Sequence, residues 1–310
     1  FYVEILGFTV DTLMPMKYYG KMLWINVGRQ QIRLVSAPES KIIMGSISIT
    51  VPSLREYRRR ILQASAGFPE GTHFYLDTTS DKELIVTCPW GNAFKISEAG
   101  PKTYPLRIMS LNFNVRLGLA SMIADFYEQI VGCVIDRMGK SSVRVCVGPH
   151  QYLIFSEITS HWQVEPVTVC LYVPHFTTLL GTLSINKLLS SKIDPFNFTS
   201  HEFAFDQVVD VSRLLRGDRK PIFLIRHRTR SLKHSSYMRP LVNNIQWDIL
   251  RDEVDDEDEF YKNLLKDTLP IPRALIPAGI LSPTRETAGT HAEASSSVPP
   301  LVSMPSGVAP

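Results

Sequence analysis

The phrase FYVEILGFTV (1–10) returns in altered form as FYEQIVGCVI (126–135), and this echo decides how the rest of the chain is read. Phe1-Tyr2 and Gly7 match Phe126-Tyr127 and Gly132 at an offset of 125. Two further matches keep the order. NVGRQQIRLVS (26–36) aligns with CVGPHQYLIFS (146–156) at an offset of 120, and ITVPSLREYRRRIL (49–62) with LYVPHFTTLLGTLS (171–184) at 122. One such match lies within chance. Three in order, differing only by the length of small loops, mark an internal duplication.

Each copy divides again. SISITVPSLREYRRRIL (46–62) alternates apolar and polar residues, turns at Pro52-Ser53 and continues with helical spacing. NFNVRLGLASMIADFYEQIVG (112–132) repeats strand, turn and helix, with Gly132 as the stop. THFYLDT (72–78), KELIVTC (82–88) and NAFKISE (92–98) then alternate as strands, the last two joined by Pro89-Trp90-Gly91. The unit is strand–helix–three strands, used four times. It predicts an α+β chain with domains over 1–100 and 106–235. The first unit begins at the FY that elsewhere ends a helix, so its leading strand and most of its helix are expected upstream of Phe1. After about residue 240 the pattern changes. Residues 240–269 contain IQWDILRDEVDDEDEFYKNLLKDTL (245–269), which reads as an acidic helix. Residues 270–310 are rich in Pro, Ser, Ala and Gly and are expected to be disordered, because they cannot bury enough apolar surface to offset their ordering entropy.

Composition narrows the classes. A net charge of +3 is too mild to imply a nucleic-acid partner. No apolar run approaches the roughly 20 residues that span a bilayer, so no membrane partner is expected. Cys88, Cys133, Cys146 and Cys170 are scattered without a CxxC. That spacing predicts core thiols in a reducing, cytoplasmic setting rather than a disulfide frame or zinc site. Nucleophile-elbow, P-loop, zincin and dinucleotide motifs are absent from the sequence.

FYVEILGF, LWINVGRQQIRL and TCPWGNAFKISE together resemble the vicinal oxygen chelate superfamily, which includes glyoxalase I, bleomycin-resistance proteins and extradiol dioxygenases. ADFYEQIVGC with VRVCVGPHQYLIFSE is similar to a second copy of the same signature, so the resemblance covers roughly 1–235. It implies tandem βαβββ modules forming two cupped, mixed eight-stranded sheets, with helices outside and a pocket within each. It also implies a divalent metal held by His, Gln or Glu from the first and last strands of a module. That ion would act as a Lewis acid on two neighbouring substrate oxygens. Dimerisation by sharing modules is one implied arrangement; pairing within a single chain is the other.

The resemblance places a first-strand ligand 14 residues before the FY phenylalanine, at Asn112, with Ser46 and Thr168 as its equivalents. The last-strand ligand, four residues after Gly91, falls at Lys95, and the other slots fall near Arg33, Leu153 and Arg226. Lys and Arg offer no lone pair to a dication, and Ser, Thr and Asn bind hard cations weakly without carboxylates. The expectation is therefore a pocket of Ser46, Lys95, Asn112, Asn114, Thr168, Arg226 and Arg228 with no cofactor. The alternative is Zn, Ni, Fe or Mn on His201, Glu202 and His227. Against that set, alternation sends His201 and Glu202 to opposite faces of one strand.

In FLIRHRTRSL (223–232), Arg226, Arg228 and Arg230 share one face of a strand. They could line an anion pocket, pair with the acidic run Asp252–Glu259, or form a solvated edge. Three function classes follow. The first is a metal-independent protein that binds or sequesters a small apolar or anionic molecule. The second is a divalent-metal lyase or dioxygenase of the glyoxalase type. The third is an inactive interaction paralogue acting through its acidic segment and tail.

Overall fold

Period-two alternation in GSISITV, AFKISE and RIMSLNFNVR drives strand formation, because only an extended backbone puts every apolar side chain on one side. The computed structural model describes residues 1–11, 22–65, 67, 71–100, 104–159, 167–190 and 201–243; the expected acidic helix and tail, from 244 onward, lie outside them. The first module supplies β1 (Thr9–Val10), β2 (Met22–Val27) and β3 (Gln30–Val35). The second supplies β4 (Gly45–Val51), α1 (Leu54–Ser65), β5 (Tyr75–Asp77), β6 (Glu83–Thr87) and β7 (Ala93–Glu98). The third supplies β8 (Arg107–Arg116), α2 (Leu119–Phe126), β9 (Val134–Arg137), β10 (Ser142–Gly148) and β11 (Gln151–Ile158). The fourth supplies β12 (Thr168–Val173), α3 (Phe176–Ile185), β13 (Glu202–Val209), the short α4 (Val211–Leu214) and β14 (Pro221–Ser231).

Module pairing differs from the expectation of two eight-stranded sheets. One such sheet forms, in the order β5-β6-β7-β4-β8-β11-β10-β9. Its two halves are the second and third modules, joined where β4 runs antiparallel to β8. Within each half the first strand lies parallel to the last, β4 beside β7 and β8 beside β11. Among the described residues the outer modules form three-stranded sheets, β1-β2-β3 and β12-β14-β13. The physical reason is that the first strand of a module is its pairing edge, and β4 and β8 satisfy each other's edges.

Two apolar clusters lie on the outer faces of the sheets. Ile49, Val51, Phe94 and Ile96 pack under Leu54, Tyr57 and Ile61 of α1 and against Leu6 and Phe8. Phe113, Phe155, Ile123, Phe126, Phe205 and Ile225 join the third and fourth modules. Each such side chain contributes about 1.5–3 kcal/mol on burial. The Ser-Glu that closes NAFKISE and QYLIFSE has a local role. Glu98 accepts from the Leu54 N–H at 3.0 Å and Glu157 from the Ala120 N–H at 2.9 Å, so each carboxylate caps the first turn of its module's helix. Among the described residues no helix is long and apolar enough to cross a membrane.

α2 continues as a π-helical turn, Tyr127–Val131, which rolls Tyr127 into the core. Its hydroxyl lies 2.7 Å from His227 Nε2, and the His227 ring stacks on Phe205 with centroids 4.0 Å apart.

The first module is fastened at the β2–β3 turn. Gln30 bonds both the N–H and the C=O of Ile108, at 2.7 and 2.8 Å, while Asn243 bonds the N–H and C=O of Gly28. Gly28 has φ +62, and a Cβ there would lie 1.9 Å from the Leu106 carbonyl oxygen. Gly28→Ala should therefore lower unfolding free energy by about 2 kcal/mol or more in urea titrations. An unchanged midpoint would show that this fastening is not needed.

Candidate functional site

Because the apolar clusters take one face of each sheet, alternation delivers the polar side chains to the other. On the eight-stranded sheet that face carries Ser46, Ser48, Lys95, Ser110, Asn112, Asn114, Arg144 and Tyr152. Ser46 stands directly opposite Asn112, and Ser48 stands opposite Lys95. The Asn112 amide nitrogen lies 3.0 Å from Ser46 Oγ, 2.9 Å from Ser48 Oγ and 3.2 Å from the Ser46 carbonyl oxygen. Ser110 Oγ donates back to Asn112 Oδ1 at 3.1 Å. Four of the sequence's candidates thus share one face, and the amide at their centre is saturated by its neighbours. Farther out, Arg144 lies 3.5 Å from Asp136 and 5.1 Å over the Tyr152 ring.

Leu153 is different. It is a core residue, 2% exposed, and Ile154 is the residue in register with Asn112. Leu153 lies five residues after Gly148, whereas Lys95 lies four after Gly91, and the odd extra residue puts it on the opposite face from its neighbours Tyr152 and Ile154.

The fourth module has a more highly charged face. Register sets Thr168 beside Arg226, Cys170 beside Arg228, and Tyr172 beside Arg230, which in turn stands beside Glu202. The Glu202 carboxylate bridges two guanidinium groups, through Arg228 Nε and, at 2.8 Å, Arg230 Nε. Arg230 also donates to the Tyr172 hydroxyl at 3.1 Å. His234 Nε2 lies 3.6 Å from the same carboxylate; burial and Arg230 push its pKa below the ordinary value, against the pull of Glu202. Arg226 pairs with Asp206 at 3.0 Å. Thr168 and Cys170 are exposed beside them, so the expectation of a core thiol fails at Cys170. The arginines are paired inside their own sheet. The acidic run proposed as their partner lies outside the described residues.

His201, Glu202 and His227 do not converge. Glu202 is on the charged face, whereas His227 is fully buried on the opposite one, among Phe205 and Tyr127.

The first module completes the surroundings. Gln31 donates to Asp11 at 2.6 Å and to Asn26 at 2.8 Å, Arg239 pairs with Asp11, and Asn26 donates to the Val242 carbonyl. The segment after β14 therefore crosses onto the polar face of β1–β3. Neither this strap nor the Glu202 clamp and His234 can be read from local pattern, since the partners lie far apart in sequence. The signal that was available is the spacing of Arg226, Arg228 and Arg230.

A transition metal of the type the fold implies does not fit this donor set. Hydroxyls, a saturated amide, a lysine and arginines stand at the ligand positions, and among the described residues no three His, Cys, Asp or Glu side chains cluster as a metal site needs.

No family model and no curated protein matches the sequence. Solved structures do match the fold. A point mutant of glyoxalase I from Zea mays aligns with TM-score 0.51 at 10% identity, covering 78% of this chain and 90% of that one. Glyoxalase I from Zea mays in a second structure gives 0.46 at 11%, covering 74% and 85%. An extradiol ring-cleaving dioxygenase from B. fuscum gives 0.33 at 12%, covering 66% and 57%. The chain has the vicinal oxygen chelate fold, and at these identities the likeness extends to fold alone.

Burial pushes His227 down to about 3 from an ordinary 6.5. Between those values the unfolded chain binds a proton that the native one does not, so stability falls as pH drops below 6.5. The loss reaches about 1.4 kcal/mol per pH unit. Urea midpoints measured from pH 7 to 4 should fall less steeply in His227→Gln than in the parent. Parallel profiles would contradict a neutral buried imidazole.

Proposed function

We propose that the chain binds a small organic anion, a carboxylate or phosphate ester, on the charged face of the fourth module, without a resident transition metal. One observation carries the reading: Glu202 holds Arg228 and Arg230 side by side, each only about a tenth exposed, next to the open positions Thr168 and Cys170. A guanidinium offers five N–H donors in a planar fork whose geometry matches a carboxylate or phosphate. Low exposure raises the strength of a charge-assisted hydrogen bond from the guanidinium groups, which favours an anion over a neutral molecule.

A fold shared with glyoxalase I supports a small-molecule role. Lyase or dioxygenase chemistry of that type calls for a Lewis acid, and the residues at the implied positions are unsuited to holding one. A homodimer is not required for the proposed site, since its arginines and carboxylates all come from one module.

Thermal unfolding with a panel of mono- and dicarboxylates and phosphate esters tests the reading. A ligand present at about 100 times its Kd should stabilise the parent by about 2.7 kcal/mol. Arg228→Lys keeps the charge but loses the fork, and should weaken that ligand by about tenfold or more. Equal shifts in parent and variant, or none with any anion, would remove this site from consideration.

A further inference from the structure

Residues 232–243 follow β14 and form neither strand nor helix, yet they run from the charged face of the fourth module to the polar face of β1–β3. At the fourth module, His234 Nε2 is 3.6 Å from the Glu202 carboxylate, and the Tyr237 ring sits 5.2 Å from the ring of Tyr172. The Ser236 N–H donates to His234 Nδ1 at 3.1 Å, so the neutral ring carries its proton on Nε2, toward Glu202. At the first module, Arg239 pairs with Asp11, Asn26 donates to the Val242 carbonyl at 2.9 Å, and Asn243 exchanges two bonds with the Gly28 backbone.

The hold is polar and the backbone is strained. Met238 has φ +53, a left-handed conformation that residues bearing a side chain seldom adopt. Met238 and Val242 are 50% and 64% exposed, so apolar burial adds little to the grip. Such a segment opens locally at far lower cost than the paired strands beneath it. Its place is also selective. Register sets Cys170 beside Arg228 and Tyr172 beside Arg230. The first pair adjoins the exposed Thr168. The second, with the Arg230 side chain 11% exposed, is the end against which His234 and Tyr237 pack.

We propose, on the anion reading given above, that this strap is a displaceable cover of the anion site. Closed, it withholds the Arg230–Tyr172 end; released from its anchors at Asp11 and Gly28, it lets an anion reach both Arg228 and Arg230. A site that is open only part of the time binds with its intrinsic affinity reduced by the open fraction. Whatever loosens the strap therefore tightens anion binding, even when it removes a positive charge.

Inorganic phosphate is the probe, titrated calorimetrically into the full 310-residue chain, with amide exchange followed in parallel. Arg239→Ala and Asn243→Ala each cut one anchor. Each should bind phosphate about fivefold more tightly than the parent, while residues 233–243 exchange faster. For Arg239→Ala the sign is diagnostic, because loss of a cation without release of a cover weakens anion binding. In the parent itself, saturating phosphate should speed exchange across 233–243 about tenfold. Faster exchange in the variants with unchanged or weaker phosphate affinity would overturn the cover and leave the anion site standing. So would slower exchange across 233–243 in the phosphate-loaded parent, which marks closure over the anion. No phosphate binding to any of the three chains would remove the anion site and the cover with it.

Discussion

The antiparallel pairing of β4 with β8 is the contact on which the rest of the arrangement depends. Among the described residues it is the one place where strands of two modules pair, and its register determines what faces what on the polar side. Gly45 permits the approach: its φ is +145, and a Cβ would lie 1.9 Å from the Asn112 carbonyl oxygen. With that register set, Ser46 meets Asn112, the serine–asparagine cluster closes on itself, and the position that a metal ligand would need is occupied by mutually satisfied neutral groups. Among the described residues the outer two modules are joined by the segment after β14, where Arg239 pairs with Asp11 and Asn243 bonds the Gly28 backbone.

Alternation then separates stability from chemistry. Every strand commits one face to an apolar cluster, which leaves ionisable side chains gathered on the other. In the fourth module this gathers Arg226, Arg228 and Arg230 on one face, the last two where water is scarce. Unpaired, those charges would oppose folding; Glu202 and Asp206 offset the cost at a geometry that keeps the guanidinium forks in order. Replacing Glu202 alone would leave two guanidinium groups deprived of their counter-ion, so the clamp and the proposed anion site stand or fall together.

Much of this was legible in the chain. FY with its following Gly, the alternating runs of the second module and the strand–turn–helix of the third all appear where the pattern puts them, because these signals are local. Partner choice was not legible: GSISITV announces a strand, but nothing within it says whether β8 or a strand of the first module lies alongside. Counting four from glycine placed Lys95 correctly on the polar face, whereas Leu153, five from its glycine, falls on the apolar one, because the turns after Gly91 and Gly148 differ in length. Arg228 and Arg230 were visible as a stripe. Their counter-ion was not, since Glu202 lies a hairpin away and short-range periodicity carries no information about ion pairing.

At positions where the fold invites a metal this chain presents hydroxyls, amides and guanidinium groups, and the anion site proposed for the fourth module needs no metal. Metal content per chain, measured after equilibration of the full-length protein with Zn, Ni, Fe and Mn and removal of unbound ions, tests it most directly. The account predicts far less than one ion per chain and anion binding that is indifferent to chelators. One tightly held ion per chain, with anion binding abolished when it is stripped, would contradict it.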